Sequence, residues 1–319
     1  MIIDSHTHIW SSLEQLGREI ADRLRSRSND RLSHCDASPA SHERSMTCVD
    51  AALVFGFRSQ RLCAQIPNEL IAEFVARDSG RRIGICGIDP MSADALDQID
   101  AAHDLGLMGA TVSPACQGFH PAHSAAMRVY ERCFELSMPL FVTMLDPLTA
   151  GAALEFARPA LWDEVAQAFP RLPIVIGQLG HPWIDETLVM LNKHPSMYAD
   201  ISGVASRPWQ LYNSLLTASS MNIMEKLLFG SGFPFDTPAQ AIEAMYSVNS
   251  YSHGTQLPSV PRSLIRGIVE RDTLACLGID ADVTVRSGVA LEDENAPELT
   301  VMHEPRRALP SRRRHTEPY

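Results

Sequence analysis

Apolar runs and helical patterns alternate roughly eight times along this chain, and no single motif constrains the fold as much. The candidate strands are a first one begun by Ile2 and Ile3 and apolar runs at residues 51–57, 82–88, 108–112, 140–145, 172–176, 197–201 and 227–229. Segments with helical spacing stand between them. In residues 93–105, for example, Ala95, Leu96, Ile99 and Ala102 share one face. Pro67 opens another such segment, where the first turn tolerates a missing N–H. The runs are near-continuous rather than alternating, as expected when both faces of a sheet are covered. Strand–helix units in this number predict an α/β protein folded as a (β/α)8 barrel. An open doubly wound sheet is the rival, but no Gly-x-Gly-x-x-Gly turn or phosphate-binding loop supports it.

On this reading residues 1–280 form the barrel and residues 11–47 are an insertion after its first strand. Leu13, Leu16, Ile20 and Leu24 give the insertion one amphipathic helix, and a long excursion carrying His34 and His42 follows. Residues 281–319 mix Pro, Glu and Arg and read as a mobile tail.

Composition narrows the partners. The net charge of -11 argues against a nucleic-acid surface. No run is long enough to span a membrane. Asp4, His6 and His8 interrupt any leader-like apolar stretch. Seven cysteines without a Cys-x-x-Cys pair predict reduced thiols and a cytoplasmic protein. A small-molecule substrate is the expectation, and a homodimer is the commonest closed assembly for such a chain.

Chemistry concentrates at run ends. Asp4, His6 and His8 follow Ile2 and Ile3 at a spacing of two, so on a strand they project to one side. Two such imidazoles hold one divalent ion, or they are a hydrogen-bonded polar pair at a strand end; two donors do not decide between these. His181 stands at a predicted barrel mouth, either as an acid–base group or as an anchor for the Pro182-Trp183 turn. Arg58 and Arg207 follow predicted strands, suited to a substrate carboxylate or to a salt bridge. Trp183 is a candidate wall for the same substrate.

Four stretches carry a resemblance: Ile3-Asp4-Ser5-His6-Thr7-His8, Ala110-Thr111-Val112-Ser113-Pro114, Leu179-Gly180-His181-Pro182-Trp183 and Phe229-Gly230-Ser231-Gly232-Phe233-Pro234-Phe235. In this order they resemble the amidohydrolase-related (type 2) branch of the amidohydrolase superfamily. That branch includes aminocarboxymuconate-semialdehyde decarboxylase and related lactonases. The resemblance implies a site at the C-terminal strand ends and one divalent metal such as zinc. The metal would be held by the first-strand His pair, a His ending the fifth strand and an Asp ending the eighth. A further His after the sixth strand would polarise substrate or water. His6 and His8 match, but the other positions read Thr143, Gln178 and Gly232. The expectation is therefore a hydrolase for a small carboxylated or lactone substrate with an altered metal site, or with no metal. His181, Gln178, Asp146 and Asp236 are its candidate catalytic residues. A decarboxylase of the same branch and a catalytically inactive barrel are the alternatives.

Overall fold

The computed structural model describes residues 1–26, 36–143 and 149–284. Asp146, His34 and the segment 285–319 lie outside the described residues. Among those described are ten strands: β1 (Ile3–His8), β2 (Ala51–Phe55), β3 (Phe57–Ser59), β4 (Ala64–Ile66), β5 (Arg82–Gly87), β6 (Ala110–Val112), β7 (Leu140–Val142), β8 (Ile174–Ile176), β9 (Met197–Asp200) and β10 (Leu227–Leu228). Eight form one parallel sheet in the order β1-β2-β5-β6-β7-β8-β9-β10. Backbone bonds then join its two edges. Ser5 N–H donates to Phe229 O at 2.9 Å, Gly232 N–H to His6 O at 2.9 Å and His8 N–H to Phe233 O at 2.9 Å. The (β/α)8 barrel expected from the alternation is the fold observed. The antiparallel hairpin β3–β4 was not anticipated; three residues per strand are too few for a period to show.

Helices cover the barrel and separate its core into two layers. Ile3, Leu53, Phe55, Ile85, Phe141, Val175 and Leu228 belong to the inner layer. Strand faces such as Val54, Cys86, Val112 and Ile174 meet the helices in the outer one. Each fully buried Ile, Leu or Phe contributes on the order of 1.5–3 kcal/mol, so both layers oppose opening of the barrel.

Local chemistry sets the helix ends. Thr237 and Gln240 form a capping box ahead of Pro238–Ser247. Gly278, in the left-handed region at φ 67, ends Thr273–Leu277. The helix expected over 263–277 is split into Arg262–Val269 and Thr273–Leu277, because the Asp272 carboxylate caps the second piece. The single helix expected around Leu13–Leu24 is a short 3-10 turn and then Arg18–Ser26, divided at Gly17 with φ 84. The excursion after it carries a further helix, Pro39–Ser45, with Ser38 as cap. In the helix Ala95–Asp104, Ala95, Ile99 and Ala102 are buried but Leu96 is exposed. Among the described residues no helix is long and apolar enough to cross a membrane.

Candidate functional site

The first strand aims its histidines through an irregularity. Ile3 pairs with Ala51 and Asp4 with Ala52, but Thr7 pairs with Val54 and His8 with Phe55. One extra residue in β1 shifts the phase of alternation. Ile3 faces the inner core, and so do His6 and His8 further along. Thr7 faces outward. Its hydroxyl donates to Leu53 O at 2.7 Å and lies 3.0 Å from Nε2 of His42. His42 is thus a buried neighbour of the first strand rather than part of an open loop, and burial, aided by Arg82 and Arg81, pushes its pKa down to about 3.

His6 and His8 are each 2% exposed and rest on Phe55, with ring centroids 4.9 and 5.6 Å away. Their Nε2 atoms are 3.2 Å apart. Nδ1 of His6 lies 2.8 Å from Oδ2 of Asp200 and 3.1 Å from Oγ of Ser202. Asp200 ends β9, and its other oxygen accepts from Gln178 N–H at 3.1 Å, from Ser202 N–H at 2.9 Å and from the Ser202 hydroxyl. Burial pulls the Asp200 carboxyl upward. His6, Ser202 and the Gln178 amide together outweigh it and hold the group below its usual range. His8 is pushed down to about 3, first by burial and then by His6, against smaller upward pulls from the Phe55 backbone and Asp200.

Asp4 lies fully buried beside this pair. One oxygen accepts from Ser231 N–H at 2.9 Å and from His6 N–H at 3.2 Å. Its other oxygen, the Ser5 hydroxyl and Nδ1 of His8 have no hydrogen-bond partner among the described residues. Burial raises the Asp4 carboxyl to about 6, despite the lowering effect of Ser231.

An outer layer lies above. Gln178 and Leu179 both adopt left-handed backbone conformations, at φ 57 and φ 50, which are strained for side chains of this size. The turn delivers the Gln178 amide to Asp200 and carries on to His181, whose N–H donates to Gln178 O at 3.0 Å. His181 is half-buried, and burial followed by Arg207 lowers its pKa. Arg207 is exposed and donates to Gly203 O at 3.2 Å. Trp183 is half-buried at the start of Ile184–Lys193. Phe156, Ala157 and Pro159 pack with Val142, Ile176 and Gly177 over the ends of β7 and β8, around a void of about 10 Å³.

Gln178, His181 and Trp183 share the turn after β8, Arg207 lies near enough to lower the His181 pKa, and the Gln178 N–H ties this turn to His6 through Asp200. Arg58 lies elsewhere. It sits 3.8 Å from Asp94 and lines a cavity of about 70 Å³ with Gln65, Asn68 and Gln98. Asp236 is buried next to the Thr237 cap. Asp200 and Ser202 are the residues that sequence reasoning undervalued. In the sequence Asp200 is only a carboxylate near the end of the run at 197–201, and nothing in its neighbourhood names His6 as a partner 194 positions away.

The donor set can be tested against a divalent ion. Two imidazole nitrogens at ~2.0–2.1 Å from a tetrahedral ion stand about 3.3 Å apart, close to the spacing of the two Nε2 atoms. The remaining donors fall short. The Thr143 hydroxyl pairs with that of Thr111 at 3.0 Å, Gly232 has no side chain, and Asp200 faces the outer nitrogen of His6. Among the described residues no three His, Cys, Asp or Glu side chains come together to hold an ion. The described residues do not make a resident metal centre.

Comparison with known proteins agrees with the fold and its topology. The sequence profile of a family described as Amidohydrolase matches residues 3–252. No curated protein matches the chain. Among solved structures, an uncharacterised TIM-barrel protein from Bordetella bronchiseptica aligns with a TM-score of 0.65 at 16% identity, covering 87% of this chain and 99% of its own. A probable 2-pyrone-4,6-dicarboxylic acid hydrolase from Acinetobacter baumannii, with citric acid bound, aligns at 0.58 and 13% identity, covering 87% and 99%. A dihydroxybenzoic acid decarboxylase from Polaromonas, with manganese and 2-nitroresorcinol bound, aligns at 0.55 and 16% identity, covering 87% and 97%. At these identities the structural likeness speaks for the fold alone.

Proposed function

The chain belongs to the amidohydrolase family, and from that premise we propose that it hydrolyses a small carboxylated or lactone substrate with an altered centre at the barrel mouth. The convergence of His6 and His8 at 3.2 Å, backed by Asp200, is the observation that carries this reading. These imidazoles handle the proton of an attacking water, the kind of work that a positioned acid–base pair performs. Arg207 receives the substrate carboxylate through charge-assisted hydrogen bonds, beside His181. The side-chain NH2 of Gln178 donates to a carbonyl oxygen of the substrate, and Trp183 closes one wall. Asp236 and Asp146 remain candidate carboxylates for the same reaction. Neighbours on this fold include a hydrolase of a pyrone dicarboxylate and a decarboxylase of a dihydroxybenzoate, both small carboxylated molecules.

A second reading, an inactive barrel with a binding or structural role, is favoured by the 2% exposure of both histidines. Steady-state assays separate the two. Purified protein is offered a panel of carboxylated lactones for hydrolysis and of hydroxybenzoates for decarboxylation. The proposal expects lactone turnover that falls at least ~100-fold in His6→Gln, the usual scale for losing a general acid–base group. Carbon dioxide release without lactone turnover moves the assignment to decarboxylation. No turnover with either panel supports the inactive barrel.

A further inference from the structure

Resting on that reading of the site, we infer that Asp200 and Ser202 are positioning residues that fix which nitrogen of His6 carries the proton. The assignment follows from counting donors. Oδ1 of Asp200 accepts from two backbone N–H groups, those of Gln178 and Ser202, and from the Ser202 hydroxyl. The one hydroxyl hydrogen of Ser202 is thereby used. Towards His6, Ser202 Oγ at 3.1 Å and Asp200 Oδ2 at 2.8 Å both present lone pairs. Two acceptors converge on Nδ1, so Nδ1 carries a hydrogen. Nε2 of His6 is then left bare and faces Nε2 of His8. The contact between the two Nε2 atoms needs one hydrogen, and His8 supplies it.

Packing holds the ring in this pose. A Cβ added at Gly177 would stand 3.2 Å from His6 Cε1 and 3.5 Å from Asp200 Oδ2. One added at Gly230 would stand 3.1 Å from His6 Cβ. Both positions are closer to His6 than a side chain would ordinarily be, so the two glycines leave the ring its slot. Asp200 is itself buried and acts on the site through His6.

The same count yields a sharp expectation for Asp200→Asn. The oxygen of the new amide must take the Oδ1 position, because the Gln178 and Ser202 amides still donate there. Its NH2 group then faces Nδ1 of His6 and donates to it. Nδ1 becomes the acceptor and the hydrogen moves to Nε2, after which His8 must carry its own hydrogen on Nδ1.

The test is two-bond 1H–15N correlation at pH 8 on the full chain with 15N-labelled histidine, His6→Gln and His8→Gln assigning the two rings. Wild type is expected to show a protonated Nδ1 and a bare Nε2 in His6, with the reverse in His8. Asp200→Asn is expected to invert both rings. A wild-type His6 protonated on Nε2, or an Asp200→Asn protein whose His6 pattern is unchanged, overturns the inference. If Asp200→Asn does not fold, Ser202→Ala decides. It is expected to keep the hydrogen on Nδ1 of His6 and to shift that hydrogen's resonance, because one of its two acceptors is gone. An unshifted resonance overturns the role of Ser202. These spectra require no substrate. A correct His6 tautomer in a protein without lactone turnover removes the proposed function and leaves the positioning assignment standing.

Discussion

Asp4 and Asp200 are both buried carboxylates next to His6, and they are pushed in opposite directions. Asp200 has both oxygens occupied by donors and sits below its usual range. Asp4 has one oxygen bonded and one without a partner, and burial carries it up to about 6. Burial is common to the two, so the stronger pull of His6 on Asp200 and the donors facing each oxygen make the difference. The β9 side of the site is built around a charge. The first-strand side holds a carboxyl that parts with its charge easily.

Removing the charged side should have the largest effect. Asp200→Ala strands the His6 ring N–H, the Ser202 hydroxyl and two backbone amides in the interior. A loss of about 3–5 kcal/mol in urea unfolding is expected, because each buried donor left without its acceptor costs on the order of 1–3 kcal/mol. A loss below ~1 kcal/mol would show that the donors had found water, and the contrast between the two carboxylates would collapse.

Asp4 offers a pH test. Its ordinary value of 3.8 applies to the unfolded chain and about 6 to the folded one. Between these the folded state keeps a proton that the unfolded state has released, so Asp4 lowers stability as pH rises through this window. The full penalty, on the order of 3 kcal/mol, stands above pH 6. Asp4→Asn keeps an acceptor for the Ser231 and His6 amides and carries no charge. Its stability relative to wild type should climb between pH 4 and 6 and then level off. A difference that stays flat across this range would remove the raised Asp4 from the comparison.

Gly177→Ala tests whether shape supports the charged side. The new methyl would stand 2.8 Å from Val142 O and 3.2 Å from His6 Cε1 and should cost about 1–3 kcal/mol, as overpacking does. Lactone turnover, if present, should fall further than stability does. The smallest effect belongs to Arg58→Ala. The Arg58–Asp94 pair is 3.8 Å long and partly exposed, so a change within ~1 kcal/mol is expected, with turnover unaffected. Loss of turnover in that variant would place Arg58 in the working site after all.

Much of this architecture was legible because each strand–helix unit carries its own signal. The near-continuous runs around Val54, Ile85 and Val175 need only local patterning to be seen, and eight of them leave few folds open. The inward pair His6 and His8 was legible for the same reason, since a spacing of two is a property of one strand. The partners were not. Asp200 reaches His6 only after the barrel closes, and closure depends on bonds between Phe229, Gly232 and β1 that no local pattern encodes. Gln178 looked like a weak replacement for an imidazole. Its clearest structural contribution is a backbone N–H, which side-chain identity does not reveal. Thr143 was read as a missing ligand, and its hydroxyl is occupied by Thr111 on the neighbouring strand.

The two glycines beside His6 also bear on the motion of its ring. With Gly177 at one edge, Gly230 at its root and Phe55 beneath, the imidazole has little room to turn over about its Cβ–Cγ bond. A half-turn would exchange a ring nitrogen for a carbon at Asp200 and erase the alignment. The orientation of this histidine is therefore stored as a rotational barrier in the backbone just past β8 and β10, and residues with no side chain set how long it lasts.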